Sequence, residues 1–129
     1  MTLDVNSIAT DADLENTVGS AERLKAMQPV LTKRDMDRAQ GLADALEALK
    51  GRSPPIYGSM LSVPAEIKDA VVYRALTLMA RKARNVKGDT WDALADDYDR
   101  EFSRAIKRAF TVSSGVRGPS GRSVALERR

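Results

Sequence analysis

The stretch that decides the fold is VPAEIKDAVVYRALTLMARKAR, residues 63–84. Pro64 suits the first turn of a helix, where the N–H group that proline lacks has no intrahelical partner. Apolar side chains then recur from Ile67 to Ala80 over an unusually broad arc. Because a helix that is apolar on most sides is normally covered on most sides, the stretch predicts a central helix. An alternative interpretation is that part of this broad apolar arc forms a contact between subunits.

Another long helix is predicted after a short turn at residues 85–88. Asp89 is placed to cap it. Its apolar residues recur every three or four positions: Trp91, Leu94, Ala95, Tyr98, Phe102, Ala105, Ile106 and Ala109. Since the connection is short, we expect the two helices to pack as an antiparallel hairpin that supplies most of the core.

The first fifty residues predict two further helices. One begins at a cap on Asp11 or Asp13 and ends near Met27. The other is opened by the hydroxyl of Thr32 and stopped by Gly51. Its expected buried stripe consists of Met36, Ala39, Leu42, Ala43, Leu46 and Leu49.

Two segments fall outside these helical patterns. A proline-held extended loop follows Gly51, and it is interpreted either as a stiff connector or as a subunit interface formed by Pro54, Pro55, Ile56 and Tyr57. The other is the glycine- and serine-rich end of the chain. The sequence therefore predicts an all-α fold: a small four-helix bundle-like domain at residues 1–110, followed by a flexible extended C-terminal arm at residues 111–129.

Composition argues against enzymatic chemistry. The 129 residues include no cysteine and no histidine, which excludes disulfides, thiolate or histidine catalysis and the usual zinc ligand sets. One helix carries five acidic side chains: Asp92, Asp96, Asp97, Asp99 and Glu101. We interpret them as a solvated face with an Asp96–Arg100 ion pair, because an oxygen-ligand metal site needs converging loops or several helices. No catalytic residue, cofactor or metal is expected.

The net charge of +3 is unevenly distributed along the chain. Residues 1–110 contain 17 basic and 17 acidic side chains, so the whole excess of positive charge lies on residues 111–129.

A basic cluster lies at the end of the central helix: Arg81, Lys82, Arg84 and Lys87. It is interpreted as the complement of the helix dipole, with a phosphate-binding patch as the alternative. No apolar run is long enough to span a membrane, and the first residues lack the order of a signal peptide. These features predict a cytosolic product or part of something assembled in a cytosol.

Three features together resemble the head–tail connector (adaptor) proteins of long-tailed bacteriophages. They are the proline-led apolar helix, the W-x₂-L-A-x₂-Y-x₃-F pattern of residues 91–102, and a tail ending S-V-A-L-E-R-R. The resemblance covers most of the chain and is strongest from Pro54 to Arg129. It implies a structural protein of the virion neck, present in the host cytoplasm during assembly. About twelve copies would form a ring beneath the portal protein. The ring would extend a channel through which DNA passes without sequence-specific binding, and it would present a surface to the next neck protein.

The resemblance also implies a role for the C-terminal arm, which docks on the portal in such proteins. The apolar anchors would be Val124 and Leu126, and the ionic contacts would be Arg117, Arg122, Arg128 and Arg129. Alternation along residues 123–126 is compatible with strand addition to an exposed sheet edge. Two other functions stay open: a small basic nucleic-acid-binding protein, and a tail-side neck or tail-completion protein.

Overall fold

A computed structural model describes residues 5–52, 65–83 and 90–113, and these segments form an all-α, bundle-like domain. The helices are α1 (Val5–Ile8), α2 (Asp11–Val18), α3 (Ala21–Met27), α4 (Leu31–Lys50), α5 (Ala65–Ala83) and α6 (Thr90–Ser113). No strand occurs in these three segments, so the predicted fold class is confirmed.

Helix α5 is the central element, as its broad apolar arc predicts. Its fully buried apolar side chains are Ile67, Ala70, Val71, Ala75, Leu76, Met79 and Ala80. It runs antiparallel to α6, because Asp69 near its start lies 3.7 Å from Arg108 and Arg81 near its end lies 3.8 Å from Asp99. The connection between α5 and α6, with the expected cap Asp89, lies outside the described residues.

Helix α6 presents the predicted stripe to this core. Its buried residues are Ala95, Ala105, Ile106 and Ala109, and larger side chains pack partly buried against the core: Trp91, Leu94, Tyr98, Phe102 and Phe110. Arg74 of α5 links three helices, since its guanidinium lies 2.7 Å from Asp44 of α4 and 3.5 Å from Asp99 of α6. The same guanidinium lies 5.4 Å from the centre of the Phe102 ring, a cation–π distance.

Helix α4 crosses α5 at a point of close backbone approach. Its direction is opposite to that of α5, because Asp37 pairs with Lys82 at the end of α5 and Asp44 pairs with Arg74 nearer its middle. Gly41 lies at the crossing, where a Cβ atom would stand 2.7 Å from the carbonyl oxygen of Val71. The absence of a side chain at Gly41 therefore sets the separation of the two helices.

The predicted first helix is divided into α2 and α3. Gly19 adopts a left-handed conformation, with φ of 109°, and ends α2. Ser20 then caps α3 by accepting a hydrogen bond from the backbone N–H of Arg23. The apolar spacing continues across this break, which explains why periodicity alone predicted one helix instead of two.

The predicted helix caps also need correction. The N-cap of α2 is Thr10, whose hydroxyl accepts from the backbone N–H of Asp13, while the carboxylate of Asp13 accepts from the backbone N–H of Thr10. Neither Asp11 nor Asp13 is the cap itself. Helix α4 begins at Leu31, so Thr32 is already helical, and no side chain caps this end. Gly51 is confirmed as the residue that ends α4.

The reciprocal cap at Thr10 and Asp13 predicts an acid-sensitive contribution to stability. Burial raises the pKa of Asp13, but hydrogen bonds from Thr10 and Lys68 outweigh it and hold the pKa below the usual 3.8. A lowered carboxyl pKa stabilises the fold above about pH 4, and that stabilisation is lost as pH falls through the native pKa. We expect Asp13→Ala to cost about 1 kcal/mol at pH 7 and progressively less below pH 4 in urea unfolding. An equal cost of Asp13→Ala at pH 7 and below pH 4 would contradict this contribution of the ionised carboxylate.

Candidate functional site

The site residues predicted from sequence lie outside the described part of the chain. This holds for the arm residues Arg117, Arg122, Val124, Leu126, Arg128 and Arg129, and for the loop residues Pro54, Pro55, Ile56 and Tyr57. Helix α6 continues through Ser113, three residues beyond the boundary expected from sequence. The segment that follows the folded body therefore starts at residue 114.

A basic surface lies on α6 one to three turns before its end at Ser113, and we call its residues Arg104, Lys107 and Arg108 the α6 basic end. All three side chains are exposed, and together with Thr111 they line a shallow depression of about 520 Å³. Arg104 pairs with Glu101 at 2.6 Å, and Arg108 reaches Asp69 at 3.7 Å. From Arg104 to the last residue, the sequence holds seven basic side chains and one acidic one.

The basic cluster at the end of α5 is engaged by carboxylates where it is described. Arg81 lies 3.8 Å from Asp99, and the ammonium of Lys82 lies 2.6 Å from the buried carboxylate of Asp37. Arg84 and Lys87 lie outside the described residues. Two of the four cations therefore stabilise contacts between helices, which favours the structural interpretation of this cluster over a phosphate-binding patch.

Two tyrosine side chains are half-buried between the last two helices. The rings of Tyr73 and Tyr98 lie 6.3 Å apart at 33°, between α5 and α6. Burial raises the pKa of Tyr98 above 10.0, so its hydroxyl is protonated at physiological pH. The two tyrosines line a depression of about 530 Å³ whose other residues are Thr17, Asp97, Arg100, Glu101 and Arg104. Its charged rim is formed largely by ion pairs within α6.

Acidic side chains of α6 form ion pairs with several different basic residues. Asp99 faces Arg74 and Arg81, and Arg100 pairs with Asp97 instead of the expected Asp96. A spacing of three residues therefore replaces the predicted spacing of four. Across residues 5–52, 65–83 and 90–113, no group of three or more acidic side chains is arranged to hold a metal ion.

A buried ionic cluster at the start of α4 was missed by sequence reasoning. Arg34 is only 6% exposed, and its guanidinium donates to both carboxylate oxygens of Asp11, at 2.8 and 3.3 Å. It also donates to the carbonyl oxygen of Gln28 at 2.7 Å. One arginine thus fixes the start of α2 and the end of α3 against α4.

Two neighbouring charged residues extend the cluster. Arg38 is 5% exposed, donates to the carbonyl oxygen of Ala9 at 2.8 Å, and pairs with Asp35. Asp37 is 2% exposed and is neutralised by Lys82 of α5. The partners of the cluster include the Ala9 carbonyl after α1, Asp11 of α2, the Gln28 carbonyl after α3 and Lys82 of α5. The cluster therefore joins the three short N-terminal helices to the α4–α5 pair.

Removing the charge of Arg34 should therefore destabilise the N-terminal part of the domain. Arg34→Met keeps an unbranched chain of similar length but leaves the partly buried carbonyl oxygen of Gln28 and the Asp11 carboxylate without their donor. We expect a loss of about 2–3 kcal/mol in the free energy of unfolding, measured by urea denaturation. The matched control is Arg100→Met, which breaks an exposed pair on α6 and should cost less than about 0.5 kcal/mol. Equal losses in the two variants would contradict the role given to Arg34.

Because Arg34, Asp37 and Arg38 are buried, the side of α4 that faces the core differs from the side that the sequence predicts. Leu42 and Leu49 are buried as expected, and Leu46 is partly buried. The other three members of the predicted stripe face outward: Met36, which is 69% exposed, together with Ala39 and Ala43. Met36 lines a depression of about 400 Å³ together with Gln28, Lys33 and Lys82. The domain therefore leaves part of the apolar surface of α4 uncovered.

Comparison of the chain with family models, curated proteins and solved structures found no match. Within the described segments, none of the helices combines the length and the apolar character needed to cross a bilayer.

Proposed function

We propose that this protein is a structural head–tail connector of a tailed phage, and that it joins the portal to the next neck ring. The observation that supports the proposal best is the position of the α6 basic end. The helical body is linked by ion pairs between its helices, and its last helix also carries the exposed side chains of Arg104, Lys107 and Arg108. Residues 114–129 follow this helix in the sequence, and they carry four more arginines and the apolar Val124 and Leu126.

Physical considerations favour a ring over a single copy for this role. Fixing the backbone of each arm residue costs about 1–2 kcal/mol, so one short arm gains little on its own. A ring of about twelve copies on one portal would multiply modest contacts through effective concentration. The 16 residues after Ser113 reach at most about 55 Å, which is enough to extend well beyond the body.

The direct test is co-sedimentation of the purified protein with DNA-filled heads. We expect saturable binding to portal-bearing heads, with about twelve copies per head, and background binding to otherwise identical shells assembled without portal. Equal binding to both particles would show that the portal is not the partner. Binding to purified tails in place of heads would support the tail-side neck or tail-completion protein instead.

Nucleic-acid binding is the second candidate, since residues 104–129 hold seven basic side chains and one acidic one, although Arg104 and Arg108 each contact a carboxylate of the body. The body offers few additional cations, because Arg81 and Lys82 are paired. We expect weak, sequence-independent binding that disappears at moderate salt and is nearly absent from residues 1–113 alone. Fluorescence anisotropy with duplexes of unrelated sequence measures this. Sequence-selective nanomolar binding near physiological salt would favour a regulator over a connector.

A further inference from the structure

The outward side of α4 carries a seam of residues spaced alternately three and four apart. Its members are Thr32, Met36, Ala39, Ala43, Leu46 and Lys50. All are exposed except Leu46, which is partly buried. This is the spacing with which one helix packs along another in a coiled coil, where small residues at the centre permit close approach of the backbones. The seam is apolar in the middle and polar at both ends.

Charged residues beside this seam are arranged symmetrically. Lys33 and Glu47 lie on the same edge of it, each seven residues, or two turns, from Gln40. Lys33 has no ion pair within the described residues, and Glu47 makes only a long contact of 3.8 Å with exposed Lys50. Lys33 and Glu47 are therefore equidistant from Gln40. When a second copy of α4 packs antiparallel to the first, each of these charges faces a charge of opposite sign.

We infer that α4 is a docking surface for a second copy of this chain, packed antiparallel about a two-fold axis near Gln40. With Ala39 of each copy beside Ala43 of the other, Met36 meets Leu46 of the second copy. In the same register, which is centred on residue 41, Lys33 and Glu47 of the second copy are offset by only about 3 Å along the helix axis, which their long side chains span. The pair occurs twice by symmetry. Charge complementarity and apolar packing therefore select one register.

The contact is small, and it is separate from the proposed ring. Five turns of one helix bury less than the roughly 1,000 Å² expected of a stable interface, so the dimer dissociates with a Kd of about 0.1–1 mM. A two-fold contact uses the same surface on both copies and closes after two of them, whereas a ring needs two different surfaces. The dimer thus neither requires nor excludes the connector function.

Charge exchange tests the register directly. Lys33→Glu and Glu47→Lys each place like charges together at two symmetric positions, and we expect either change to raise the dimer Kd at least about tenfold. The double variant restores opposite charges, and its Kd should return to within about threefold of the native value. Sedimentation equilibrium of the full chain measures all four proteins. A double variant as weak as the single ones would overturn the antiparallel register.

The apolar part of the surface is tested by Ala43→Glu, which keeps a good helix former at an exposed position. We expect this variant to stay monomeric at about 1 mM while keeping the native circular dichroism spectrum and urea midpoint. The matched controls are Lys25→Glu and Glu22→Lys on the exposed side of α3, which should leave the Kd unchanged. A native protein that remains monomeric at about 1 mM, or controls that weaken the dimer equally, would overturn the proposal.

Discussion

Gly41→Leu is expected to abolish stable folding of the domain. At this position α4 and α5 cross so closely that a Cβ atom would stand 2.7 Å from the carbonyl oxygen of Val71 and 3.3 Å from the backbone nitrogen of Ala75. Both atoms belong to the backbone of the central helix, so no side chain can rotate away to make room. Leucine would force the two helices apart and open the core on both sides of the crossing.

The expected loss is at least about 4 kcal/mol, which exceeds the usual cost of overpacking because backbone must move. Since small domains are stable by only about 5–15 kcal/mol, most molecules would be unfolded or loosely packed at 37 °C. Gly41→Ala should lose about 1–2 kcal/mol, because the steric cost is partly offset by the better helix propensity of alanine. Thermal unfolding followed by circular dichroism measures both variants.

Gly51→Ala provides a matched control at the other end of the same helix. A Cβ atom there would lie 3.6 Å from the carbonyl oxygen of Glu47 and 3.7 Å from that of Ala48, which are ordinary contact distances. Its φ of −78° also suits any residue. The control should change the free energy of unfolding by less than about 0.5 kcal/mol. If Gly41→Ala were equally harmless, the close helix crossing would not limit the fold.

The two helices of the core were predictable because their own apolar residues are enough to indicate what they bury. Helix α5 is apolar over so many positions that almost any rotation buries it, and α6 places Ala95, Ala105 and Ile106 on one side. Local spacing alone therefore determines which residues face the core. The split between α2 and α3 was not predictable in this way, since it depends on the left-handed conformation of Gly19.

The rotation of α4 was not predictable from its own sequence. Met36, Ala39 and Ala43 form as good an apolar stripe as the residues actually buried, whereas Arg34 and Arg38 look like solvent-facing charges. Both arginines are buried because acceptors far away in sequence converge on them, 23 residues away at Asp11 and 29 residues away at the Ala9 carbonyl. A charge is stable inside a protein only when such partners are present, and helical periodicity carries no information about them.

The same reasoning explains which parts of the candidate site were visible in the sequence. The basic character after Arg104 is visible as a count of charges, and the arm anchors Val124 and Leu126 are visible as apolar residues among polar ones. The outward seam of α4 was visible only as a stripe assigned to the core. The sequence predicted that Arg81 and Lys82 complement the dipole of α5. It could not identify their ion-pair partners, because Asp37 and Asp99 lie on other helices.

Deleting residues 114–129 is expected to abolish attachment to portal-bearing heads while leaving the helical body folded. All of the described core packing, the buried cluster around Arg34 and the whole of α6 precede residue 114. Because α6 extends to Ser113, the cut belongs after that residue and not after residue 110. Circular dichroism and urea unfolding should match the full chain, whereas co-sedimentation with heads should fall to background.

Point variants within the arm separate anchoring from electrostatic attraction. Val124→Asp and Leu126→Asp should each reduce attachment at least about tenfold, because burying an unpaired carboxylate costs several kcal/mol. Changing Arg128 and Arg129 to alanine should reduce it less, and the difference from the full chain should shrink as salt rises, as it does for charges at the rim of an interface. If the chain cut after Ser113 sedimented with heads as well as the intact chain did, the arm would not be the portal contact. The loop residues Pro54 to Tyr57 would then be the next segment to replace, because they carry the other apolar sequence assigned to a subunit contact.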